Sequence, residues 1–517
     1  MKQKGLQQKN ERRVAAVLRM AMVVLLLALQ ILVIVWGTHF LRENVGVIYA
    51  VMQTIGLFAA LYIYNKPDGD NYKLAWLVLF LLSPTLGFVL YFLWGTHWQK
   101  HRFAKRHKVV FAENEETKRH QRETQEALAA TYPQWRPLSR YLLHHGFAPY
   151  QNTAVTYFAE GAVFLQDLTE QAAKAEKFIF LEYFILAEGK IFDRLAEVLC
   201  ERAQNGVEVK VIFDDFGNIR RFSAKTLDML RDNGVEVCVF NPVVRYVNRL
   251  YFNYRDHRKI AVIDGNYAYT GGVNIADEYA NVITRFGYWK DSGVRLYGEG
   301  TWGFCHEFME FWALSGGEPI RDVDAYRPQV SAQSSGFCQP FTDGPFRHPS
   351  KPAEDTYMQF IGNAKKKIYI TTPYFVPDER TIRALCVAGD GEIDVRLFLP
   401  EKPDHWTTDC IAESHFAKLM EHGVKIYRYT PGFLHEKTVL VDDEVAFVGS
   451  VNIDYRSFDL HFECGVVLYG TEAIPALRED LEQIIAQSRL LAREDLAKRK
   501  WYRRMLAPFL RLFAIWL

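Results

Sequence analysis

Two stretches carry the residue types of phosphoryl chemistry at the same spacing. In one, His257, Lys259 and Asp264 are followed by Gly271, Gly272 and Asn274; in the other, His435, Lys437 and Asp442 are followed by Gly449, Ser450 and Asn452. Every interval from His to Asn is identical, so the chain holds an internal repeat. Imidazole can act as nucleophile, base or acid near neutral pH, and ammonium and carboxamide groups bind non-bridging phosphate oxygens. Two His, two Lys and two Asn converging on one cleft would therefore suit a phosphodiester. One neutral imidazole attacks phosphorus, the other gives a proton to the leaving alkoxide, and an incoming hydroxyl resolves the phosphohistidine. Side-chain cations already supply the positive charge, and no acidic cluster or His pair has ligand spacing. Neither a metal nor another cofactor is expected, and the adjacent His144 and His145 read as a helix surface.

The repeat reads as strand, turn, strand. Lys259 to Asp264 and Lys437 to Asp442 enclose short β-branched apolar runs, as buried strands require. His and Lys, two apart, share a face. Asp264-Gly265 and Asp442-Asp443-Glu444 supply turn chemistry, and Tyr267 to Thr270 or Val445 to Val448 carries the chain back. Asp264 and Asp442 are counted with the catalytic motif, although their place at the turn suits stabilising the hairpin more than touching substrate. Gly then lets backbone approach a phosphate closely, beside Asn274 in one copy and Asn452 in the other. Ser450 is a further candidate phosphate donor, with a turn hydroxyl as the alternative.

The surrounding elements alternate strand and helix in the same order twice, the pattern of an α/β fold. Strands are expected at 177–184, 207–213 and 235–240 with a helix at 191–204, and again at 367–372, 393–398 and 424–429 with a helix at 378–387. After each hairpin an acid heads another strand, Asp291 in the first half and Glu463 in the second. Each is either a strand-edge carboxylate or the partner that orients a catalytic His.

The doubled motif resembles the phospholipase D superfamily. The words Asn253-Tyr-Arg-Asp-His-Arg-Lys259, Thr372-Pro-Tyr-Phe-Val-Pro377 and Gly449-Ser-Val-Asn-Ile-Asp-Tyr-Arg-Ser-Phe458 are similar to those of bacterial cardiolipin synthases, from about residue 45 onward. The resemblance implies two pseudo-symmetric phospholipase D-like domains, mixed sheets flanked by helices, and favours Asp291 and Glu463 as His-orienting acids. It implies transfer of a phosphatidyl group from one phosphatidylglycerol to another, giving cardiolipin and glycerol, with His257 as nucleophile and His435 as acid and base. One departure is His461, where the family commonly carries Asn. Tyr374 is expected either at the lipid entrance or in the core.

The rest of the chain sets the context. Its 517 residues leave room for two or three domains, and a net charge of +1 argues against a generally basic nucleic-acid binder. Seven scattered cysteines fit a reducing compartment. Met20 to Trp36, Val45 to Tyr64 and Leu74 to Leu93 are apolar runs long enough for a bilayer, so residues 1–110 are expected to be an N-terminal transmembrane region of two to three helices. Basic residues before the first run and after the third place both flanks in the cytoplasm, which three full crossings cannot satisfy. Residues 111–150 read as a polar linker or strut, 151–330 and 331–490 as the two domains, and 491–517 as a basic, amphipathic tail. The tail either caps the second domain or lies in the membrane interface, with Trp501, Phe509, Phe513 and Trp516 facing lipid.

The expected partners are phosphatidylglycerol and cardiolipin in the cell membrane, with cytoplasmic catalytic domains and no nucleic acid. Two rivals stay open: a phospholipase D using water as acceptor, and a catalytically silent scaffold that binds anionic lipid.

Overall fold

The computed structural model describes residues 45–66, 70–82, 115–243, 254–345, 350–512 and 514, with scattered residues of 25–36 and 87–91. The first half builds a seven-stranded mixed sheet from β1 (Thr153–Phe158), β2 (Phe178–Tyr183), β3 (Glu208–Asp214), β4 (Glu236–Phe240), β6 (Lys259–Ile263), β7 (Tyr267–Gly271) and β9 (Gly293–Gly298), in the order β1-β9-β7-β6-β2-β3-β4. Two short strands stay out of that order: β5 (Arg255–Asp256) and β8 (Tyr288–Lys290).

The second half repeats this order with β10 (Phe337–Asp343), β11 (Lys367–Thr371), β13 (Asp394–Pro400), β14 (Lys425–Tyr429), β16 (Thr438–Val441), β17 (Val445–Gly449) and β19 (His461–Tyr469), running β10-β19-β17-β16-β11-β13-β14. Its short strands are β12 (Phe375–Val376), β15 (Gly432–Leu434) and β18 (Ile453–Asp454), and β20 (Ser488–Leu490) closes the edge beyond β14. In each sheet three strands are parallel (β2-β3-β4, β11-β13-β14) and the motif hairpin pairs antiparallel with the first of them.

The apolar runs are continuous because both faces of each sheet are covered. Ile260, Val262, Val294 and Leu296 of the first sheet meet Leu440, Val448, Val466 and Leu468 of the second in one shared core. The alternate residues, Ala261 and Ile263 or Val439 and Val441, face each half's own helices. Two sheets thus pack face to face, and the hairpin ends that carry His and Lys meet at their common edge.

The stretch at 111–150 is no free linker. Its first part is an α-helix, Glu115–Thr131, but Arg136–His144 forms a second one. Trp135, Leu138, Leu142 and Phe147 are buried in the core of the second half. Gln339 donates to the carbonyls of Ser139 and Phe147, at 3.1 and 2.7 Å, and the Trp135 indole donates to Glu444 at 2.9 Å. Charge-rich composition hid this amphipathic face.

Among the described residues no helix is long and apolar enough to cross a membrane. The helix Val45–Tyr64 is uncharged and exposes Val47, Val51, Ile55, Phe58 and Leu61. Much of the first and third apolar runs lies outside the described residues. At the other end of the chain the helix Trp501–Leu512 docks on the helix Trp406–Glu421: Arg503 bonds Asp409 at 2.6 Å and Arg499 bonds Glu413 at 2.8 Å. These tail cations are used inside the protein, while Trp501, Met505 and Phe509 form an exposed stripe at helical spacing. Phe513 and Trp516 lie outside the described residues.

Candidate active site

Each half builds the other's imidazole. β5 pairs with the start of β19, so the His257 amide donates to the Phe462 carbonyl at 2.9 Å. β15 pairs with β8, so the His435 amide donates to the Lys290 carbonyl at 2.8 Å. The two acids therefore cross over: Glu463 holds His257 Nδ1 at 2.9 Å, and Asp291 holds His435 Nδ1 at 2.6 Å. With Nδ1 fixed, Nε2 is the ring nitrogen left for chemistry. Both imidazoles line one cavity of about 330 Å³, together with Asn274 and Asn452.

The lysines sit beside this pair and are fully buried. Lys437 Nζ lies 2.9 Å from His435 Nδ1 and 3.2 Å from Nε2, and it also donates to the His435 carbonyl, as Lys259 does to the His257 carbonyl. Burial pushes Lys437 down to about 7 and lowers Lys259 as well. Burial, reinforced by these two ammonium groups, holds both imidazoles well below the ordinary His range. Burial also raises Asp291 to about 7, so the resting Asp291–His435 pair is biased towards its uncharged form. A bound phosphodiester anion would relieve the repulsion between cations and favour an imidazolium.

Asn274 is part of a fixed chain: its carbonyl accepts from the Ile185 amide at 3.1 Å and its amide donates to the Tyr279 hydroxyl at 2.7 Å. Tyr279 in turn packs against His435, ring centroids 5.3 Å apart. Asn452 is looser, for its side-chain oxygen is buried and has no hydrogen-bond partner among the described residues. Tyr374 also lines the cavity and donates to Asp404 at 2.6 Å.

Three of the candidate site residues stand away from the cavity. Asp264 and Asp442 are not in the cleft. Asp264 accepts from the amides of Glu176, Lys177 and Phe178 at 2.8 to 3.0 Å, and Asp442 from those of Lys365, Lys366 and Lys367 at 2.8 to 2.9 Å. They tie each hairpin turn to the strand beside it. Ser450 is also off the cleft, because its hydroxyl donates to Glu463 at 2.5 Å and accepts from the Cys464 amide at 2.9 Å. It steadies the acid that steadies His257. The first half needs Gly272 at this place, since a Cβ there would come within 2.1 Å of the Asp291 carboxylate.

His461 stands next to His257, ring centroids 5.5 Å apart, with Arg456 Nε 3.2 Å from its Nε2. Its Nδ1 is 3.7 Å from Glu463. No metal was expected, yet among the described residues His257, His461 and Glu463 form a group able to hold an ion, as do His306, Glu307 and Glu310. Sequence spacing hid the first group because its ligands come from both halves. A cation there would occupy the imidazole and acid that phosphoryl chemistry needs.

The comparisons with known proteins agree with this geometry. A family described as "Cardiolipin synthase, PLD-like domain" matches residues 168–282 and 357–485, and a phospholipase D-nuclease N-terminal family matches 51–95. The cardiolipin synthase of Geobacillus kaustophilus is 33% identical over 496 residues, covering 94% of this chain and 98% of its own. The chain belongs to the cardiolipin synthase family. The major cardiolipin synthase of Bacillus subtilis is 31% identical, with 88% of this chain and 97% of its own covered. An uncharacterized Streptococcus mutans protein is 36% identical, covering 88% of this chain and 99% of its own. Among solved structures, a phosphatidylserine synthase of Haemophilus influenzae aligns with a TM-score of 0.55 at 16% identity, covering 73% of this chain and 100% of its own, which speaks to the fold alone. The two stretches matched as cardiolipin synthase domains contain His257, His435 and Glu463, and Asp291 lies just beyond the end of the first.

Proposed function

We propose that the protein is a membrane phosphatidyltransferase that makes cardiolipin and glycerol from two phosphatidylglycerol molecules. The observation that carries this reading is the convergence of two carboxylate-held imidazoles on one cavity, each with a buried ammonium group bonded to its own residue. The phosphate of the donor lipid sits between the imidazoles, its non-bridging oxygens neutralised by Lys259 and Lys437. His257 Nε2 attacks phosphorus while His435 gives its proton to the departing glycerol oxygen, leaving a phosphatidyl group on His257. The hydroxyl of a second phosphatidylglycerol then loses its proton to His435 and attacks phosphorus, and the P–N bond breaks. Glu463 and Asp291 keep each Nδ1 occupied so that Nε2 faces phosphorus in both steps.

Both substrates are bilayer lipids, so we read residues 1–110 as a membrane anchor and 151–330 and 331–490 as the two catalytic domains, on the cytoplasmic side. The uncharged helix Val45–Tyr64 and the exposed Trp501, Met505 and Phe509 supply apolar surface for that attachment.

The test is to incubate the purified protein in vesicles of phosphatidylglycerol with chelator and to follow cardiolipin and glycerol by mass spectrometry. One glycerol per cardiolipin is expected, with turnover abolished by His257→Ala or His435→Ala while lipid binding persists. Phosphatidic acid as the product would replace the transferase with a hydrolase. Unchanged cellular lipids in either His variant would replace it with a scaffold.

A further inference from the structure

The reaction proposed above handles two phosphodiesters, but the buried lysines at its centre neutralise only one. The acceptor lipid brings a second phosphate, joined to its reacting hydroxyl through glycerol, and that charge also needs a partner. On the wall of the same cavity stand Arg221, in the loop after β3, and Arg285, in the loop before β8. Both guanidinium groups bond one oxygen of Glu278, at 2.6 and 3.2 Å. Two cations sharing one carboxylate oxygen leave a surplus positive charge. Among the described residues the remaining guanidinium nitrogens meet no other acid, and beyond Glu278 Arg285 rests against the Phe286 ring.

The position fits an acceptor. Glu278 immediately precedes Tyr279, the residue packed on His435 and bonded to Asn274, so the carboxylate that holds the arginines is next in the chain to a ring at the reacting centre, and the arginines share its cavity. They are on the side of His435, the base for the incoming hydroxyl. Arg285 follows Val282 and Ile283, whose side chains are exposed. A cation pair beside exposed apolar side chains suits a phosphate that carries acyl chains. Asp404 and Asp454 also line the cavity, but Asp404 is bonded to the Tyr374 hydroxyl and Asp454 to the Ser457 amide.

We propose that Arg221 and Arg285, held together by Glu278, bind the phosphodiester of the acceptor lipid and so select a phosphate-bearing alcohol over a simple one. This rests on the transferase reading and names its second substrate site. In the acceptor step the glycerol oxygen bonds phosphorus, the P–N bond to His257 breaks, and the hydroxyl proton passes to His435. The arginines take no part in bond making; they place the hydroxyl.

The test compares wild type with the Arg221→Ala/Arg285→Ala double variant in phosphatidylglycerol vesicles with and without ethanol, reading cardiolipin, phosphatidylethanol and glycerol. Ethanol has no phosphate, so it reports the donor step, and the integrity of the fold, in the same sample. Cardiolipin is expected to fall roughly 10- to 100-fold while phosphatidylethanol stays within about twofold, the loss set by charge-assisted hydrogen bonds to one anion. Arg221→Lys/Arg285→Lys should recover part of the cardiolipin. Equal loss of both products would overturn the proposal by assigning the arginines to the donor or to the fold, and unchanged cardiolipin would overturn it outright. A wild-type protein that makes phosphatidylethanol but no cardiolipin would keep phosphatidyl transfer but remove the second phosphatidylglycerol as acceptor, and this inference with it.

Discussion

At the scale of the residue, the proposed chemistry turns on the crossed acids. Glu463 belongs to His257 and Asp291 to His435, each from the opposite half. Replacing either by its amide keeps the size but offers the ring a donor as well as an acceptor, so the tautomer is no longer set; kcat should fall roughly 10²- to 10⁴-fold. The two variants should differ in rapid-quench experiments. Glu463→Gln slows the first release of glycerol, whereas Asp291→Asn slows both leaving-group departure and acceptor attack; identical burst phases would contradict the assigned roles. Lys437 adds a pH dependence. In the proposed mechanism its ammonium is needed on the phosphate, and burial pushes it down to about 7, so kcat/KM should decline as pH rises through that value. Lys437→Arg stays charged and should move the alkaline limb upward while lowering the maximum, which a pH profile of donor turnover would detect. His, Lys and Asn were legible in the sequence because one spacing occurs twice. The crossing was not, since each acid follows its own half's His and only the pairing of two-residue and three-residue strands sends it across.

At the scale of the element, the motif hairpins are anchored from their far ends. Asp264 and Asp442 both adopt left-handed backbone, φ 53°, which Asp tolerates in turns, and each carboxylate gathers three consecutive amides. Asp442→Ala should cost about 1–3 kcal/mol, the penalty of stranding those partly exposed donors, with kcat of the folded enzyme nearly unchanged. Thermal melts in detergent beside turnover numbers would check both halves of the statement, and a large kcat loss at full stability would return Asp442 to the active site. The turn was readable from Asp-Gly and Asp-Asp-Glu, but not its partners, which lie 75 to 77 residues upstream of Asp442. Long strands announced themselves by β-branched runs. β5, β8 and β15 are too short for any periodicity to register, yet they position both imidazoles.

At the scale of the whole molecule, the two halves are one structure because charges as well as strands cross between them. Position 436, between His435 and Lys437, is Glu where the first half has Arg258. Arg258 is paired inside its own half with Glu182 at 2.5 Å, whereas Glu436 reaches Lys290 of the first half at 3.4 Å, and Lys290 also bonds Asp480 at 2.7 Å. All of these groups are buried. Lys290→Met would leave two carboxylates buried between the halves without their cation, a loss of about 3–5 kcal/mol where they are ionised. The sign with pH follows from Glu436, which burial already raises to about 7 in the folded protein. Over the range between its unfolded value and 7 the native state binds more protons than the unfolded one, so this group lowers stability as pH rises. Removing Lys290 raises Glu436 further and extends that range upward. The destabilisation by Lys290→Met should therefore be larger at pH 8 than at pH 5.5, read as the difference in melting temperature from wild type at each pH. A difference that is equal at both would mean that Glu436 is paired with another cation in the variant, and that the halves are held by their shared apolar core and strand pairing without this ion pair.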